Sequence, residues 1–147
     1  EAMSDIDLMF IAVLATDKPE KVQNWYLENF GIPVRKITKT NIKVLDQSFG
    51  LEKGAGSYGL TVIPLEGKSL IEVDEYPREA KNRSFDNNSL PPGNAMMSVY
   101  VDSIEGLLSL KIARPIVLSE PPYSESRSIT AIGAAGELIE FIERENS

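Results

Sequence analysis

The stretch Leu70–Glu75 reads LIEVDE, and near the end of the chain Leu138–Glu143 reads LIEFIE. Each is a short apolar, strand-like run with a glutamate third, Glu72 in one and Glu140 in the other. The two glutamates stand 68 residues apart, a little under half of the 147-residue chain. A carboxylate held among apolar groups is costly unless it is paired, protonated or put to use. A strand of this kind occurring twice at such an offset points to an internal duplication, and the search for one governs the fold reading.

The order of elements around the two strands supports duplication. Ahead of the first lies the apolar run LMFIAVLA, Leu8–Ala15, which suits a buried strand. Thr16 and Asp17 follow as cap candidates, Pro19 sits at the first helical turn, and Gly31 is a stop signal. Between Pro19 and Gly31, the residues Val22, Trp25, Tyr26, Leu27 and Phe30 recur at helical spacing. Ile32–Thr38 alternates as a strand, and Asn41–Phe49 alternates less cleanly. EKGAGSYG is a turn cluster, and LTVIPL and SLIEVDEYP follow as strands. After a long polar connection, Arg78–Asn94, the order begins again. AMMSVYVD reads as a strand, SIEGLLSLKI as a helix, and PIVLSE, RSITAIG and ELIEFIER as three strands. The organisation expected is a tail at 1–7, a first module at 8–77, a linker or lid loop at 78–94, and a shorter second module at 95–147. Within the tail, the opening EAM, Glu1 to Met3, looks like a cloning remnant.

Composition narrows the function. A net charge of −7 and a pI near 4.7 attract neither nucleic acid nor an anionic membrane, while a cationic ligand suits them. The longest apolar run is far short of the roughly 20 residues that span a bilayer, and its acidic flanks are unlike a signal peptide. A cytoplasmic location is the expectation. The chain contains no cysteine and no histidine. That excludes disulfides, thiolate metal sites and thiol nucleophiles. It also excludes a Ser-His-Asp triad, a histidine base and the 2-His-1-carboxylate iron site.

Strand-helix-strand-strand-strand, twice over, resembles the vicinal oxygen chelate superfamily, which includes glyoxalases, bleomycin-resistance proteins and extradiol dioxygenases. PEKVQNWYLENFG resembles the first helix of that family, VYVDSIEGLL its fifth strand entering the second helix, and RSITAIGAAGELIEF its closing hairpin. That hairpin commonly turns on Asp-Pro-x-Gly; here the turn is AAG and only Gly136 matches. The resemblance covers roughly residues 8 to 143. It implies an α+β fold of two βαβββ modules, each curling into half of an open barrel beside a cavity, and a homodimer.

Metal-using members place one ligand on the first strand of each module and one on the last. By position, Glu72 and Glu140 occupy the last-strand slots, Met96 the fifth-strand slot, and Phe10 or Ile11 the first-strand slot. Both first-strand slots are therefore apolar, and no catalytic metal or other cofactor is expected. The reading favoured is a protein that binds an unidentified small molecule in an apolar cavity lined by Phe10, Met96, Tyr100 and Arg83, with Glu72 and Glu140 as polar anchors. A metal-independent isomerase or lyase, using Glu72 and Glu140 for proton transfer, is the alternative. It needs a cation or donor for the enolate, with Arg83, Arg127 or Tyr100 as candidates. Arg83 or Arg127 could instead pair with a glutamate. A structural or interaction role with a collapsed cavity is the third possibility.

Two further features have plain readings. GAGSYG, Gly54–Gly59, satisfies G-x-G-x-x-G, but a strand follows it where a dinucleotide site needs a helix. It is expected to be a hairpin loop whose Tyr58 could reach a ligand. Trp25 is expected in the core rather than as a ligand platform.

Overall fold

The computed structural model describes residues 11–77, 79–81, 90 and 93–144. The chain divides into two compact units, residues 1–81 and 82–147. In the first, β1 (Ile11–Thr16) leads into α1 (Pro19–Phe30), β2 (Thr38–Thr40), α2 (Lys43–Ser48), β3 (Tyr58–Pro64) and β4 (Leu70–Glu75). In the second, β5 (Met96–Val101) is followed by a single 3-10 turn (Glu105–Leu107), β6 (Ile116–Val117), β7 (Arg127–Ile132) and β8 (Leu138–Glu143). The sheet orders are β1-β4-β3-β2 and β5-β8-β7-β6, so the last strand of each module lies parallel to its first. The expected α+β architecture of two βαβββ modules is present, with the helix of the second reduced to one turn.

Helix α1 forms where the spacing predicts it. Pro19 needs no N–H partner in the first turn, and Gly31 closes the helix at φ 66°. Its buried residues Val22 and Tyr26 cover the face of the sheet that holds Ile63, Ile71 and Val73. Trp25, half-buried, meets Tyr26 edge-on at a ring distance of 4.9 Å. In the second unit the corresponding core holds Ile104, Leu107, Ile129, Ala131, Ile139 and Phe141.

In the first unit two expectations change. Ile32–Thr38 does not form a strand, and pairing begins only at Thr38, opposite Leu60. Asn41–Phe49, expected to be extended, instead coils into α2. The coil lowers Asp46, fully buried, beneath the turn before β3. There it accepts hydrogen bonds from Asn41 Nδ2 (2.7 Å), Gly54 N (2.7 Å), Gly56 N (3.0 Å) and Tyr58 Oη (3.0 Å). These donors hold the Asp46 carboxyl below its ordinary value, the Asn41 bond most strongly, against the opposing effect of burial. The Gly-rich segment is therefore a loop folded over a carboxylate, and Tyr58 is spent on it.

The expected second helix over SIEGLLSLKI stops after one turn. Gly106 weakens its middle, and its end is drawn to the sheet: Lys111 bridges Ala131, and Ile112 N donates to Thr130 O at 2.9 Å. In the closing hairpin, Gly136 is the residue that takes a left-handed φ, at 84°. Among the described residues no helix is long and apolar enough to cross a membrane.

Candidate functional site

Strand alternation sorts β4 and β8 into two faces. Ile71 and Val73, and in β8 Ile139 and Phe141, face the cores described above. Glu72 and Glu140 lie on the opposite face of their sheets. In the first unit, Glu72 is flanked in register by Val13 of β1 and Val62 of β3. In the second, Glu140 is flanked by Ser98 of β5 and Thr130 of β7. The pairings also fix the first strand. Met96 lies opposite Leu138 and Ile11 opposite Leu70, so the residue equivalent to Met96 is Ile11. Phe10, the other candidate for that slot, lies outside the described residues, as does Arg83.

Glu140 is buried at 5 % exposure and fully engaged within its own unit. Ser98 Oγ donates to Oε2 at 2.6 Å, and Tyr123 Oη donates to Oε1 at 3.0 Å. The bond to Glu140 holds the Tyr123 phenol above its ordinary value, with burial adding to it. Met96 and Tyr100 share the Glu140 face with Ser98 and are exposed. Tyr100 Oη donates outward to Pro122 O at 3.1 Å. Arg127 does not reach Glu140. It lies on the other face, bonded to Glu143 at 2.8 and 2.9 Å and to Glu105 at 2.6 Å.

Glu72 stands in a different setting. It is half-buried and accepts no hydrogen bond among the described residues. Two residues on, and so on the same face, lies Asp74, between Ala15 and Leu60. Asp74 is 8 % exposed, and its Oδ1 has no hydrogen-bond partner among the described residues. Burial, with the neighbouring Glu72 charge adding to it, pushes the Asp74 carboxyl up to about 6. Leu60 and Val62, the register neighbours of Asp74 and Glu72, also line a depression of about 260 Å³, together with Arg35, Lys36 and Thr38.

Sequence reasoning passed over Asp74, Ser98 and Tyr123. For Asp74 a signal was available, since alternation within LIEVDE places it beside Glu72. Ser98 is the polar residue between Met96 and Tyr100 on their face. Tyr123 stands in a Pro-Pro turn, and nothing local marks its reach to β8.

A transition metal does not fit these residues. The slots beside the glutamates hold Ile11 and Met96, which offer no nitrogen or oxygen side-chain donor. Both oxygens of Glu140 already accept protein hydrogen bonds. Among the described residues no group of three carboxylates gathers as a metal site would need.

Comparison with solved structures places the fold. A glyoxalase family protein from Bacillus cereus superposes with a TM-score of 0.68 at 19 % identity, over 99 % of this chain and 100 % of that one. A glyoxalase family protein from Enterococcus faecalis gives 0.62 at 12 % identity, over 92 % and 97 %. An antibiotic binding protein from a Streptomyces species gives 0.54 at 11 % identity, over 97 % and 99 %. The chain has the fold of these glyoxalase and bleomycin-resistance family structures. A scan of protein-family models and a search of curated proteins return no match.

Proposed function

We infer that this is a glyoxalase/bleomycin-resistance-like protein that binds a small molecule without a catalytic transition metal. The observation that carries the reading is that each unit has a glutamate on the sheet face opposite its core, with apolar side chains beside it on the same face. Val13 and Val62 flank Glu72 in register, while Glu140, flanked by Ser98 and Thr130, has Met96, Leu138 and Ile132 as the next row. Val13, Met96 and Ile132 remain exposed, and exposed apolar groups beside fixed polar ones are what ligand surfaces consist of. An antibiotic binding protein among the solved structures of this fold supports the same reading. A cytoplasmic location and a homodimer belong to the proposal.

Proton-transfer chemistry is less well supported. Of the groups suited to stabilising an enolate, Arg127 is committed to Glu143 and Glu105, and Tyr100 donates to a backbone carbonyl. Native mass spectrometry of the purified protein tests the binding reading: a retained small molecule, with the mass of the assembly giving its subunit count, is expected. Failure to retain or be stabilised by any member of a library of apolar and cationic compounds would sink it.

A further inference from the structure

We propose that Asp74 and Glu72 form the anchor for a protonated nitrogen on the ligand, an amine or amidine, with Asp74 Oδ1 as the principal acceptor. The proposal rests on the binding reading above and names the chemical class that the first sheet selects.

The argument begins with Asp74 Oδ1. A carboxylate oxygen buried with no donor is expensive, and proteins rarely keep one without a use. Among the described residues nothing supplies the donor: Lys39, the cation bonded to this strand, pairs with Glu75, on the other face. Glu72, two residues along and without a hydrogen bond to the described residues, adds a second acceptor on the same face. Two carboxylates with one unmet need suit a group that carries positive charge and more than one N–H. The apolar part of such a ligand has somewhere to lie. Leu60 and Val62, beside Asp74 and Glu72 in register, run into the depression of about 260 Å³. Arg35 and Lys36 also line the depression and disfavour a cation within it, so the charged end is directed to the carboxylates outside it. The second unit lacks this anchor: the position equivalent to Asp74 is Ile142, and Glu140 already has its two donors.

The test uses the full chain and four probes: 4-phenylbutylamine and benzamidine as cations, 4-phenylbutanol and benzamide as their neutral counterparts. Affinities are measured by titration calorimetry for the wild type, Asp74→Asn and Glu72→Gln. The cations are expected to bind about tenfold tighter than their neutral counterparts. Asp74→Asn should reduce that preference to about twofold while leaving neutral probes unchanged, and Glu72→Gln should reduce it part of the way. Asp74→Asn removes a buried charge, so loss of folding does not obscure the result; thermal melts verify it. Equal binding of cations and neutral probes, or a preference that survives Asp74→Asn, overturns the anchor and leaves the binding reading standing. Binding of no probe overturns both.

Discussion

Strands β4 and β8 hold nearly the same six residues, LIEVDE and LIEFIE, and the structure uses them alike at one end and differently in the middle. The final glutamates are equivalent in position and in fate. Glu75 pairs with Lys39 and accepts from Gly59 N at 2.7 Å. Glu143 pairs with Arg127 and accepts from Ile104 N at 3.2 Å. Each pairing holds its carboxyl below the ordinary value, and each glutamate fastens the last strand to the rest of its own module. The third-position glutamates have diverged. Glu140 is buried and saturated by Ser98 and Tyr123, whereas Glu72 has neither donor, because Val13 stands where Ser98 stands. The position of a side chain is inherited with the strand. Its chemistry depends on the strand next to it.

Breaking that contrast has its largest effect at Glu140. Glu140→Ala removes the shared acceptor of two hydroxyl groups and opens a space where a buried side chain stood, and should cost about 2–3 kcal/mol. Urea denaturation checks this; a loss below about 1 kcal/mol contradicts a saturated carboxylate there.

The next effect has the opposite sign. Asp74 has a raised folded-state pKa of about 6, so between roughly pH 4 and 6 the folded protein holds a proton that the unfolded chain releases. Stability from this group is present at low pH and lost as pH rises through that window. Asp74→Asn carries no such loss. It should be more stable than the wild type by about 2 kcal/mol above pH 7, and the two should converge below about pH 4. Denaturation midpoints measured across pH 3 to 8 show this directly. A wild type that gains on the variant as pH rises contradicts a desolvated, unpaired Asp74.

The fold was legible because its signals are repetitive. The strand pair, the Pro19-to-Gly31 helix and the closing hairpin with Gly136 each rest on local chemistry that recurs in a fixed order. The errors fell where a distant partner overrode the local pattern. Asn41–Phe49 looked extended until Asp46 found four donors across the turn. SIEGLLSLKI looked helical until its end joined β7. The site divides in the same way. Glu72 and Glu140 were visible as carboxylates in apolar strands, but what separates them, Ser98 and Tyr123 on one side and Asp74 on the other, is set by register and by a loop. No periodicity encodes the reach of Tyr123 to Glu140, 17 residues away.

The smallest effect sharpens the comparison most. Glu72→Gln removes a half-buried carboxylate that makes no hydrogen bond to the described residues, so at pH 7 stability should change by less than about 0.5 kcal/mol. The same change at the equivalent Glu140 should cost clearly more, because it replaces two charge-assisted hydrogen bonds from Ser98 and Tyr123 with weaker neutral ones and forces one hydroxyl to turn and accept. Glu72→Gln should nonetheless be felt at Asp74. Its charge is the second cause of the raised Asp74 value, after burial, so without it the pH window of Asp74 should move down toward the ordinary carboxylate range without reaching it. Carboxyl-carbon NMR titration of Asp74 in the two proteins measures this. A titration curve that does not move means that the two carboxylates do not sense each other, and that the face they share is not a joint acceptor.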